Sequence, residues 1–375
     1  MTLRLNKNLL KNSGIGFLLF IYYLFGIMVS FNSLNLSERI NNKLGVASIL
    51  LVVFVLILRG KTEKVNIGYN TLFILLTICV VFSAIFHFSL MLFWCTCCGL
   101  IIFIVLPKLK FDTVNSYGIL FYPYLIACLV ALYLYNVSSF NSQGIIYTFL
   151  GVLLLNWLCL KKKTTIVGFG VVVFVIVLLL SLTRSRTSML VFLITALFTY
   201  CYLFGRKLTV KSLAIHAVVV CGLFIVYEFL MKFFVDVFFH KWVNTDLTSN
   251  RTAIWNMVFE RTSFWGHGEE YLNGFDAHNT FMQILDMFGF MAFVLTVLCI
   301  LSVFLKIRSS THKIVFLNFF TAWTFASIFE DLNFFTSRML PVTMLFFLHI
   351  ALLSNEIRIN KLKSNSSNCN GVSTR

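Results

Sequence analysis

A chain of 375 residues in which 59% are hydrophobic and only 12% charged does not have the make-up of a soluble globule, where ~45–50% and ~25% are usual. The composition points to a bilayer. A formal net charge of +16 would by itself suggest nucleic acid, but the positions of the basic residues assign it to membrane topology, so no nucleic-acid partner is expected.

A spanning helix needs ~20 mostly apolar residues, because lipid offers backbone amides no partner. Read in chain order, the apolar runs predict about twelve spans, at 14–34, 44–58, 67–86, 88–106, 114–135, 144–160, 164–183, 187–204, 211–235, 279–305, 314–330 and 339–355. The third and fourth share one run, divided only at His87-Phe88-Ser89. The fold class is therefore all-α and polytopic, a single transmembrane domain over 1–360 whose largest external loop, 236–278, lies between spans nine and ten. The polar tail 361–375, KLKSNSSNCNGVSTR, is expected to be disordered.

Short cytoplasmic loops are rich in Lys and Arg. With the N-terminus inside, segments 4–11, 59–64, 108–110, 161–163, 206–211, 306–313 and 358–375 place 21 of the 30 basic residues on one side. The other 9 share the opposite side with 11 of the 14 acids. Both termini are then cytoplasmic, the inner-leaflet lipid is a secondary partner of the positive loops, and the first span acts as its own insertion signal. The ten cysteines, including the Cys95-Thr96-Cys97-Cys98 run, fall mostly inside spans, where Cys packs as a small apolar residue. No ligand set at metal spacing and no phosphate-binding glycine loop occurs, so neither metal nor cofactor is expected.

The chemistry gathers at the outer ends of spans. SLTRSRTS (181–188) holds Arg184 and Arg186 in a tight turn, where two guanidiniums can clamp phosphate or snorkel to the headgroups. SNRTAIW carries Arg251 and Trp255 four residues apart, on one face of a short helix. His278, at the mouth of the tenth span and followed by Asn279, is a candidate general base, since an ordinary imidazole pKa of about 6.5 is near working pH. Glu330, Asp331 and Arg338 lie between the last two spans and either orient these groups or form a solvated ion-pair cluster. His267, Glu269 and Glu270 read as loop residues, with His267 a candidate substrate contact.

Taken together, Ser185-Arg186-Thr187-Ser188, Arg251-Thr252-Ala253-Ile254-Trp255, Gly266-His267-Gly268 and His278-Asn279 resemble, in order and spacing, the motifs of the O-antigen ligase and polysaccharide polymerase family of bacterial membrane glycosyltransferases. The likeness covers residues 180–300 by motif and the whole chain by topology. It implies a twelve-span helical fold, a glycan donor carried on undecaprenyl pyrophosphate, functional arginines at Arg186 and Arg251, and a general base at His278. Arg184, Arg338, Asn279, Glu330, Asp331 and His267 are the expected binding residues for pyrophosphate or sugar. The usual Gly after Ser-Arg is Thr187 here, and Arg184 is an addition, so which guanidinium clamps stays open.

The expected activity is metal-independent transfer at the outer face of a bacterial cytoplasmic membrane, facing periplasm or exterior, with a flippase and a chain-length regulator as expected partners. A polymerase, joining lipid-linked repeats, is favoured by the compact loop and the lack of an added domain. A ligase, transferring to a lipid core, uses the same donor. A lipid-linked sugar flippase or transporter is the reading of another class, for which the intramembrane pair Glu228 and Lys232 would be the ion-coupling candidates.

Overall fold

A computed structural model describes residues 7–30, 71–87, 113–134, 141–161, 164–183, 185–205, 251–268, 277–332 and 339–370. Among these, all regular structure is helical. The helices are α1 (Lys7–Ser30), α2 (Thr71–Phe86), α3 (Thr113–Leu134), α4 (Asn141–Leu160), α5 (Ile166–Thr183), α6 (Arg186–Phe204), α7 (Arg251–Glu260), α8 (Thr280–Ile307), α9 (Lys313–Phe329) and α10 (Leu340–Asn370). By length and apolar content α4, α5, α6, α8 and part of α10 suffice to cross a membrane, and α2, α9 and parts of α1 and α3 are shorter apolar helices. The spans expected at 44–58, 88–106 and 211–235 lie outside the described residues, as do the Cys95–Cys98 run, Glu228 and Lys232.

Helices α4 and α9 form the centre, in contact with α3, α5, α6, α8 and α10 between them. Small residues permit the closest approach. A methyl group on Gly144 of α4 would strike Ser185 and Ser188 at the start of α6, and one on Gly151 would strike Phe192. Thr148 adds a hydrogen bond across the same seam, donating to the Ser188 carbonyl at 3.0 Å. Where lipid competes for apolar contact on equal terms, such close packing and interhelical bonds hold helices together.

A buried polar chain ties five helices. Asn318 of α9 donates to Thr199 of α6 (2.8 Å) and to Asn156 Oδ1 of α4 (3.1 Å). Asn156 in turn donates to the Tyr117 hydroxyl of α3 at 2.7 Å. Tyr117 lies 3.2 Å from His349 Nε2 of α10, whose Nδ1 is 2.8 Å from the Leu345 carbonyl. All five side chains are buried. The chain's direction is fixed, because a carbonyl obliges Nδ1 to carry the hydrogen, and Nε2 must then accept from Tyr117.

The helix register places the ends. Along α4 and α9, Phe149 pairs with Phe319 and Asn156 with Val315, so the two run antiparallel. Contacts Thr148–Ser188 and Asn156–Asn318–Thr199 run α6 parallel to α4. The first residue of α6 and the end of α9 therefore share one end of the bundle. From the Asn318–Thr199 contact, Arg186 is about 20 Å along α6 and Glu330 about 18 Å along α9, at ~1.5 Å per residue.

Three features differ from the sequence reading. The last helix does not stop near 355 but runs to Asn370, through ten residues of the expected disordered tail. Glu356 holds part of this extension: one of its oxygens accepts from Ser310 (2.9 Å), from the Thr311 amide (2.6 Å) and hydroxyl, and from the His312 amide (3.0 Å), so α10 supplies the cap for the start of α9. Second, α8 is not one continuous helix, for Gly289 sits at φ 88°, ψ 177°. Third, buried ionisable residues occur within the apolar helices at Asp286 and His349, besides Glu228 and Lys232, the main intramembrane exceptions in the sequence.

Candidate functional site

At the Glu330 end of the bundle α6 and α7 begin on an arginine, α9 ends at a glutamate, and His278 immediately precedes the cap of α8. Arg186 is the first residue of α6 and is exposed, while Ser185 before it and Ser188 after it are buried, with Ser185 donating to Ser188 at 2.8 Å. The small residues of this motif pack α6 on α4, and the arginine projects from the seam. Arg251 is likewise the first residue of α7. A cation at the positive end of a helix dipole opposes that dipole, and the combination suits an anion.

Arg251 reaches α9. Its Nη1 donates to the Phe329 carbonyl at 2.9 Å and its Nη2 lies 3.8 Å from Glu330 Oε1. Glu330 caps the C-terminal end of α9, where a carboxylate adds to the negative pole, and the guanidinium offsets both. The other carboxylate oxygen, Oε2, is 3.9 Å from His278 Nδ1. One carboxylate thus stands between guanidinium and imidazole at ion-pair distance from each, 6% exposed against 41% for the His278 side chain.

The turn carrying His278 is fixed on both sides. Before it, the Ala277 carbonyl accepts from the Trp255 indole at 3.0 Å, so Trp255 seats α7 against this turn. After it, Asn279 accepts from the Phe281 and Met282 amides, at 2.9 and 3.1 Å, and caps α8. Asn279 was expected to bind substrate; its oxygen is engaged in that cap. Thr280 donates to the Glu330 carbonyl (2.9 Å) and accepts from the Leu332 amide (2.7 Å), locking α8 to the end of α9. His278 itself has φ 44°, in the left-handed region, a small strain held by these anchors. Asp331 is buried beside this junction. Arg184, Arg338, Glu269 and Glu270 lie outside the described residues.

A second cluster, of which the sequence singled out only His267, lies further along α8. Arg261, just past α7, grips Asp286 with Nε at 2.9 Å and Nη2 at 3.3 Å, one nitrogen to each oxygen. His267 Nδ1 is 3.3 Å from Asp286 Oδ1 and 3.2 Å from the Asp286 carbonyl. The loop between them enters the break in α8. The Phe290 amide goes to Ser263 (3.0 Å) and the Asp286 carbonyl takes the His267 amide (2.8 Å), so the loop substitutes for the helix bond that Gly289 interrupts. Ser83 of α2 donates to the Trp265 carbonyl at 2.7 Å, closing the junction from the far side. The available signals were the acid inside an apolar run, a mid-span glycine, and the Gly-His-Gly stretch; Gly266 and Gly268 both take positive φ, at 78° and 66°.

Helix α7 is therefore held at its start by Arg251 on Glu330 and just beyond its end by Arg261 on Asp286, with Trp255 between. No group of three metal-ligating residues occurs among the described residues. No family model and no curated protein matches this chain.

Proposed function

We propose that this chain is a membrane glycosyltransferase that polymerises glycan repeats carried on undecaprenyl pyrophosphate, at the outer face of a bacterial cytoplasmic membrane. The observation that carries the reading is the shared carboxylate of Glu330, with Arg251 at one oxygen and His278 at the other. A base oriented by a buried carboxylate, beside an arginine at a helix start, suits a hydroxyl attacking a carbon whose leaving group is an anion.

In the proposed step the acceptor hydroxyl attacks the anomeric carbon of the donor glycan. Its proton goes to His278 Nε2, the nitrogen on the far side of the ring from Glu330, while the new carbon–oxygen bond forms. The bond from that carbon to the phosphate oxygen breaks, and the electron pair leaves with the lipid pyrophosphate. Arg251 and Arg186 meet that charge with guanidinium donors, the role a metal ion has elsewhere. Glu330 stabilises the imidazolium, and direct displacement inverts the anomeric centre.

The test is reconstitution. The purified protein in lipid is given undecaprenyl-pyrophosphate-linked repeats alone, and the products are run on a gel beside His278→Ala. A ladder that vanishes in the variant is the expected result. Transfer only after a lipid-core acceptor is added would replace polymerase by ligase, and no transfer under either condition would favour a transporter.

A further inference from the structure

The step above leaves Arg261, His267 and Asp286 without a part. A carboxylate within an apolar helix is expensive to retain, and such groups mark function when they occur. Here the surrounding backbone is also rebuilt for it: α8 is broken, and three glycines at positive φ surround the junction. Arg261 meets the Asp286 charge through both carboxylate oxygens, so the pairing needs no charge on the imidazole.

The geometry fixes the tautomer of His267. Its Nδ1 faces the Asp286 carboxylate and the Asp286 carbonyl, both of which only accept, so the hydrogen must sit on Nδ1. In the neutral ring Nε2 then offers a lone pair, and no described residue bonds it. The side chain is 32% exposed. Phe264 and Trp265 stand next to it in the chain, 53% and 38% exposed, as ring surface on which the C–H faces of a sugar can pack.

We infer that His267 binds a hydroxyl of the glycan through Nε2, and that the Asp286 backbone carbonyl, with the carboxylate beside it, holds the ring in the tautomer able to do so. The lone pair accepts from a hydroxyl and repels phosphate oxygen, so the ligand class is a sugar and not the pyrophosphate. The inference rests on the glycan-transfer reading for the identity of that ligand. It adds a contact in the loop docked on α8, distinct from the His278–Glu330 pair.

The test uses the full chain in lipid nanodiscs, labelled with ¹⁵N-histidine, and His267 is assigned by loss of its signals in His267→Gln. The expected wild-type spectrum has Nε2 of His267 at the position of an unprotonated nitrogen. Adding the undecaprenyl-pyrophosphate-linked repeat shifts the Nε2 resonance, whereas inorganic pyrophosphate leaves it in place. A protonated Nε2 in the wild type, a resonance unmoved by the repeat, or one moved by pyrophosphate overturns the inference. If a variant loses its folded state, the wild-type spectra with and without repeat decide alone. The gel ladder is read on the same sample: a ladder with an unmoved resonance retains the transferase and removes this contact, and a moved resonance without a ladder does the reverse.

Discussion

The Phe290 amide donates to the carbonyl of Ser263 at 3.0 Å, a bond that an unbroken α8 would make to Asp286. The exchange requires Gly289, because its φ of 88° is unfavourable for any other residue and an added methyl would strike the Phe264 carbonyl. Gly289→Ala is expected to destabilise the protein by roughly 2 kcal/mol or more, measured as a lowered unfolding midpoint in nanodiscs. Gly170→Ala is the control, since a methyl there meets nothing within 4 Å, and it should leave the midpoint nearly unchanged.

Removing the charge between Arg251 and His278 tests the proposed site without removing its volume. Glu330→Gln should lower transfer by about 10²-fold while the protein remains folded. Arg251→Lys and Arg186→Lys should recover little activity, because an ammonium cannot make the two-pronged contact. Near-normal rates in both lysine variants, measured on lipid-linked repeats, would refute the clamp.

Asn156 and Asn318 form the middle of the five-helix polar chain, and each is at most 1% exposed. Replacing either by Leu leaves partners without a donor and should destabilise the bundle by ~1–2 kcal/mol. Because the two residues bond directly, the double variant should lose less than the sum of the singles, by roughly 0.6 kcal/mol. A cycle of unfolding measurements that adds without remainder would show the chain to be unimportant for helix association.

Glu356 closes the opposite end of α9. Glu356→Ala should release the amides of Thr311 and His312 and destabilise the protein by ~1–3 kcal/mol. Glu356→Gln, which keeps one acceptor oxygen, should lose less. Hydrogen exchange at residues 311–313 is the local readout, with faster exchange in Ala than in Gln.

The helices were legible where composition decides them. The run behind α8 was read as 279–305 and the helix is Thr280–Ile307; that behind α4 was read as 144–160 and the helix is Asn141–Leu160. Long apolar runs have little choice but helix in lipid. Arg251, His278 and Glu330 were legible for the opposite reason, as polar residues bordering apolar runs. That two of them would converge on the third was not, because the partners are 79 and 52 positions away in sequence and only the α8–α9 junction joins them. Asp286 and Gly289 were hidden by averaging: one acid and one glycine barely alter the hydropathy of a 28-residue helix, and their partners lie in a loop some twenty residues earlier. The extension of α10 was missed because its support is tertiary, from Ser310, Thr311 and His312 to Glu356.

The break in α8 also has a consequence for biogenesis. The groups that complete it belong to other segments, Ser263 and His267 in the preceding loop and Ser83 of α2, about 200 residues before. A backbone group left open in lipid costs several kcal/mol, so before those segments arrive α8 has every reason to remain straight. The bend is then a tertiary feature: without the loop and α2 in place, α8 would keep its 286-to-290 bond and stand as an ordinary rod. The contact between Asp286 and His267 thus depends on the docking of segments from outside α8.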